Sequence, residues 1–177
     1  RDDFMLSKVL QFARRLRNFV RLSKARLRRH WSRTAVIGRH TIQLPAQHLL
    51  DVYRAAHPLY DLHVQHIRAV LLEKYPQMWA VDIGANVGDT AAAISATSSI
   101  PTVCVEGDPT YFSLLERNAR RIGDWVRPVN VFVGRRKEAI PVGRIVRQRG
   151  TARLAKGDDV AENQQVIQMA PLSDVLS

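Results

Sequence analysis

The chain has 177 residues, 46% hydrophobic and 24% charged, which places it among globular proteins and excludes a disordered or fibrous one. No apolar run approaches the roughly 20 residues of a membrane span. The single cysteine, Cys104, excludes a disulfide framework and a multi-thiol metal site. The net charge of +11 is concentrated at one end: residues 1–40 hold 12 Lys and Arg against Asp2 and Asp3, whereas residues 41–177 hold 15 against 14 acids.

From Phe4 to Trp31, Met5, Val9, Phe12, Leu16, Phe19, Val20 and Leu27 recur at helical spacing among arginines, which predicts a basic amphipathic helix. Such an arm, assigned to residues 1–34, suits either packing on the body or peripheral contact with an anionic membrane through residues 1–33. Nucleic acid is disfavoured, because no stacking aromatics follow the basic run into the body. No apolar core followed by small residues marks a cleavable signal, so the default location is cytoplasmic, with membrane-peripheral contact through the arm as the variant. The opening on Arg1 is expected of a cut or processed product, and Ala170–Ser177 carries no pattern for a terminal helix.

A lead-in region, residues 35–76, follows. Residues 35–45 predict a short hairpin turning at Gly38, and Gln47–Tyr75 predicts helix interrupted near His57-Pro58. His63 and His66 can share a helix face, but no carboxylate completes a ligand set, and no metal is expected.

The third region, residues 77–177, carries the chemistry. Met78–Ile83 is an apolar run of strand length closed by Gly84-Ala-Asn-Val-Gly88, after which Asp89-Thr90 opens the Ala-rich helical stretch 91–96. Pro101–Val105 predicts a second strand ending at Glu106-Gly-Asp-Pro109. Tyr111 to Ile122 predicts a helix with Phe112, Leu114, Leu115 and Ala119 inward, and Val126–Val133 a third strand broken by Pro128. This order implies an α/β, doubly wound parallel sheet with ligands at the strands' carboxyl ends. Residues 140–157 predict an antiparallel excursion.

The glycine turn discriminates between ligands. Counted from Gly84, the second and third glycines of a dinucleotide fingerprint fall on Asn86 and Asp89, and the Gly-Lys-Ser/Thr of a phosphate loop is absent. Asp82 and Glu106 instead bring carboxylates to the ends of neighbouring strands, which suits a ligand with a cationic amine and a ribose diol. S-adenosylmethionine fits these requirements better than NAD. The simpler readings are that Asp89 or Thr90 caps its helix, that Asp108 starts the helix at Tyr111, that Gly107 serves a tight turn, and that Asn118 is a surface or packing residue.

Val81–Thr90 and Val103–Asn118, with the upstream segments Leu44–Leu50 and His57–Asp61, resemble the FkbM family of S-adenosylmethionine-dependent methyltransferases over residues 40–177. The resemblance implies a Rossmann-like sheet of the class I methyltransferase type, incomplete here and preceded by the basic helix. It places Asp82, Gly84, Ala85, Asn86 and Gly88 at the methionine end of the cofactor, with Asp89 and Thr90 beside them. It sets Glu106 on the ribose, and Gly107 and Asp108 beside the adenine. It further implies methylation of a hydroxyl on a small-molecule or glycan acceptor, of the carbohydrate or polyketide type. The basic stretch Gly134–Glu138 departs from the acid that many related methyltransferases carry after the third strand. The family continues beyond a segment like Ala170–Leu176, so a missing C-terminal half or a partner is expected to cover the sheet edge. The alternative reading is an inactive methyltransferase-like module acting through its basic arm. No residue is marked as the catalytic base, although His57, Tyr60, Asp61 and His63 lie on the lead-in segment.

Overall fold

The computed structural model describes residues 32–141, 145–148, 151–154 and 166–177. The expected basic helix of residues 4–31 lies outside the described residues. Strand β1 (Ser32–Ile37) starts within the last three residues assigned to the arm and pairs antiparallel with β2 (His40–Pro45). Gly38 turns the chain between them at φ +54°, and a side chain there would run into Ala96. Helices α1 (Leu50–Ala56) and α2 (Tyr60–Lys74) follow, interrupted at His57–Leu59 as the sequence predicts.

The centre of the molecule is a parallel sheet of β3 (Ala80–Ile83), β4 (Thr102–Val105) and β5 (Val126–Val129), in the order β3-β4-β5. Helix α3 (Asp89–Ile94) connects the first pair of strands and α4 (Pro109–Ile122) the second, so the chain is a mixed α/β fold. Alternation along β4 explains its two-sided burial: Cys104 faces one apolar cluster and Val105 the other. The larger cluster holds Ala91, Ala92, Leu114, Leu115, Ala119 and Ile122 from the two helices. Ile37, Ile42 and Leu44 of the β1–β2 hairpin sit in that same cluster, fully buried, so the lead-in region shares a core with the sheet. The second cluster joins Val105, Val131 and Val175. On that face Val81 and Ile83 of β3 stay exposed, although parallel strands are ordinarily covered on both sides.

Three sequence expectations are corrected. Pro128 does not break the third strand but lies inside β5, opposite Cys104. Among the described strands β5 pairs only with β4, so it is an edge that tolerates a residue lacking an N–H. The chain instead leaves the sheet at Asn130-Val131, and β6 (Phe132–Val133) joins a separate sheet, β6-β10-β7, with β7 (Glu138–Pro141) and β10 (Val166–Ala170). The terminal segment does form a helix, α5 (Leu172–Leu176), anchored by buried Val175. Five residues are too few to leave a periodic signal, and burial of one side chain supplies what propensity does not. Finally, α4 begins at Pro109 rather than Tyr111, and Tyr111 is buried with the inner face. The antiparallel excursion is present as the hairpin of β8 (Ile145–Gln148) and β9 (Thr151–Leu154).

Candidate functional site

The glycine turn leaves β3 through three residues in the left-handed region: Gly84 at φ +81°, Asn86 at +50° and Gly88 at +84°. Glycine adopts this conformation without penalty, and asparagine tolerates it better than most residues. The amides of Gly84 and Ala85 both donate to the Val105 carbonyl, at 2.8 and 3.0 Å, which ties the turn to the end of β4. In front of Gly84 there is open space: a Cβ built there meets nothing within 4 Å. Gly88 is different, because it is buried and a Cβ there would stand 3.0 Å from Leu115.

Glu106 closes the site from the neighbouring strand. Its Oε2 accepts the Asn86 N–H at 2.8 Å and its Oε1 the Asp108 N–H at 2.7 Å. The side chain is buried and a third backbone donor, the Gly107 N–H, also reaches it, so of its roughly four acceptor sites about one is left for a ligand hydroxyl. Burial pushes its carboxyl above the ordinary range, opposed by those backbone donors. Asn130 fixes the same corner by donating to the Glu106 carbonyl at 2.7 Å.

Asp82, two residues before Gly84, is half-buried, and its buried Oδ2 has no hydrogen-bond partner. Burial pushes its carboxyl up to about 6, with the charges of Asp89 and Glu106 adding to the shift. Asp82, Asp89 and Glu106 therefore form one acidic cluster around an open glycine turn, in which the Asp82 Oδ2 is the oxygen that lacks a donor. The same burial and the Asp82 charge push the Cys104 thiol up to about 12, which makes it an inert core residue.

The other expected site residues divide. Ala85 turns its methyl into the main core and offers the site only its backbone. Asp89 and Thr90 are the first two residues of α3, whose N-cap is Gly88 with no side-chain cap, so neither of them caps the helix. Asp108 does cap α4, accepting the Thr110 N–H at 2.7 Å, and it is fully buried. Gly107 is also buried, with the Phe132 ring lying where a side chain would go. Close packing of an aromatic, rather than a tight turn, is what this glycine serves.

Two further residues hold the turn in place and leave no mark in the local sequence. His48 accepts the Leu50 N–H on Nδ1 at 3.3 Å, which puts its ring proton on Nε2, 3.2 Å from Asn86 Oδ1. It is thus His48 of the lead-in region that reaches the turn. Asn118 is fully buried in α4 and fastens three backbone groups: it donates to the carbonyls of Val87 at 2.7 Å and Gln43 at 2.9 Å and accepts the Gln43 N–H at 2.7 Å. The packing role expected of it is therefore a polar one, joining β2, the glycine turn and α4.

Among the described residues no group of three or more His, Cys, Asp or Glu is arranged to hold a metal ion, and no helix is long and apolar enough to cross a membrane. A shallow depression lined by Lys74, Tyr75, Met78 and Trp79 lies before β3, at the end away from the turn, and has no acid–base pair. No protein-family model matches the chain, and no curated protein or solved structure does.

Proposed function

We propose that the glycine turn binds S-adenosylmethionine and that the chain is a methyltransferase of Rossmann-like architecture, directed to a hydroxyl of a carbohydrate or polyketide-like acceptor. The observation that carries the reading is the pairing of Glu106, preset by backbone donors from Asn86, Gly107 and Asp108, with Asp82, whose buried oxygen lacks a partner. Glu106 keeps acceptor capacity for a ribose hydroxyl, and Asp82 has the unmet charge to take the amine of the methionine end. The open space at Gly84 lets the ligand approach the backbone. The order β3-β4-β5 supports the architecture, since it equals half of the doubly wound order 3-2-1-4-5-6, with β3 at the switch point where ligands bind.

When bound, S-adenosylmethionine supplies an electrophilic methyl for in-line displacement by an acceptor oxygen. The chain's contribution is placement: Asp82 and Glu106 fix the two ends of the ligand, and His48 and Asn118 fix the turn between them. A second reading, a binding module without catalysis, is favoured by the exposed Val81 and Ile83 on the uncovered side of β3.

Calorimetric titration of S-adenosylmethionine and S-adenosylhomocysteine into the chain, into Glu106→Ala and into Asp82→Asn tests the proposal. Saturable binding that both variants lose is the expected result. Absence of binding by the folded wild-type chain refutes the methyltransferase reading and leaves the binding module.

A further inference from the structure

The β8–β9 hairpin is docked on the site by one side chain. Arg147 grips Asp108 side-on, with Nε 2.5 Å from Oδ2 and Nη2 2.9 Å from Oδ1. One hydrogen bond, from Nη2 to Oδ1, together with the close Nε–Oδ2 ion-pair contact, holds the guanidinium against the carboxylate. Asp108 is fully buried, whereas the Arg147 side chain remains 33% exposed. The pair therefore sits at a surface opening, with the arginine as its outer member. Ile145 is buried and Ala152 packs against the main core, so the hairpin has an apolar footing on the same side. The charges of Asp108, Arg147 and Glu106 all act on the Tyr111 hydroxyl, which puts these groups in one neighbourhood at the end of β4.

The arrangement also settles what Asp108 can do. Oδ1 accepts from Thr110 and Arg147, and Oδ2 faces Arg147. Oδ1 is committed within the protein and Oδ2, which has no hydrogen-bond partner, is buried under Arg147, so a ligand beside the pair meets the outer face of the guanidinium.

We infer that Arg147 is a positioning residue of the cofactor site: its clamp on Asp108 sets the β8–β9 hairpin beside the carboxyl end of β4, as the wall of the pocket's nucleobase end. The inference rests on the S-adenosylmethionine reading for the identity of the ligand, but the clamp itself has a ligand-free readout. Hydrogen exchange of the Ile145–Gln148 and Thr151–Leu154 amides is to be followed in the full chain and in Arg147→Gln and Arg147→Lys. S-adenosylhomocysteine and adenosine are titrated into each, with the β4 amides as the control for folding.

Arg147→Gln is expected to speed hairpin exchange at least tenfold while β4 stays protected, and to weaken both ligands about tenfold and to the same degree. Arg147→Lys restores part of each, because an ammonium keeps the charge but not the fork. Asp82→Asn, acting at the other end of the ligand, weakens S-adenosylhomocysteine and spares adenosine. Unchanged hairpin exchange in Arg147→Gln overturns the clamp. A loosened hairpin with unchanged affinities overturns the wall. A wild-type chain that binds neither ligand refutes the cofactor reading and the wall with it, while the exchange data still decide the clamp.

Discussion

Replacing Asp82 by Asn is expected to make the protein more stable and less able to bind its ligand. In the folded chain burial, Asp89 and Glu106 push the Asp82 carboxyl from 3.8 to about 6. A folded carboxyl that holds its proton more tightly than the unfolded one makes the folded state bind more protons between those values. Stability therefore falls as pH rises through about 4 to 6, and the penalty stays in place above that window. At about 1.4 kcal/mol per pH unit the full penalty is about 3 kcal/mol. Residual solvent around a side chain that is not fully buried reduces this, so about 1–2 kcal/mol is the expected gain for Asp82→Asn near neutral pH. With a urea slope of about 2 kcal/mol/M, the midpoint should move up by about 0.5–1 M. Urea unfolding of both proteins at pH 7.5, 5 and 4, followed by far-UV circular dichroism, checks the sign and the window together. The gain should be present at pH 7.5 and vanish near pH 4, and S-adenosylhomocysteine should stabilise the wild type alone. A lower midpoint for the variant at pH 7.5, or an equal gain at pH 4, refutes the reasoning.

Asn118→Leu keeps the volume but strips Gln43 N–H and the carbonyls of Gln43 and Val87 of their partner. At about 1–3 kcal/mol for each buried group left unmet, a loss of about 3 kcal/mol or more is expected in the same urea assay. Gly84→Ala and Gly88→Ala should separate stability from binding. Both force alanine into the left-handed region at about 1–2 kcal/mol, but only Gly88→Ala also crowds fully buried Leu115, so it lowers Tm further. The methyl of Gly84→Ala points into open space, so its larger effect is on calorimetric affinity for S-adenosylhomocysteine. Cys104 should resist an aromatic disulfide reagent until the chain unfolds, its labelling rate at fixed pH rising with urea in step with global unfolding.

What was legible in the sequence was local. The run Ala80–Ile83 closing on Gly84 needs only four apolar or half-buried positions and one residue free to take positive φ, and both leave a pattern in neighbouring letters. Asp108-Pro109 is likewise a local start signal, and the helix begins there. The contacts that complete the site are long-range: Asn118 meets Gln43 across 75 residues, Arg147 meets Asp108 across 39, and His48 meets Asn86 across 38. Asn, Arg and His are ordinary surface residues, and nothing in their own neighbourhoods says that a fold brings them to a buried partner. Pro128 misled for a related reason. A proline disqualifies a central strand but not an edge, and the edge is fixed by strand order rather than by sequence.

The same separation of scales governs charge. The chain is strongly basic, yet its surplus lies in residues 1–40, and the turn that faces open space is ringed by Asp82, Asp89 and Glu106. A pyrophosphate at this turn would have to sit among carboxylates, one of which already has an unpartnered buried oxygen. A cation there offsets the burial, and with it the charges of Asp89 and Glu106, that hold Asp82 near 6, and binding it should draw that carboxyl back toward its ordinary range. Ligand affinity then rises with pH through the same window in which the empty protein loses stability. The cost that Asp82 imposes on the fold and the attraction it exerts on a cationic ligand are two readings of one buried charge.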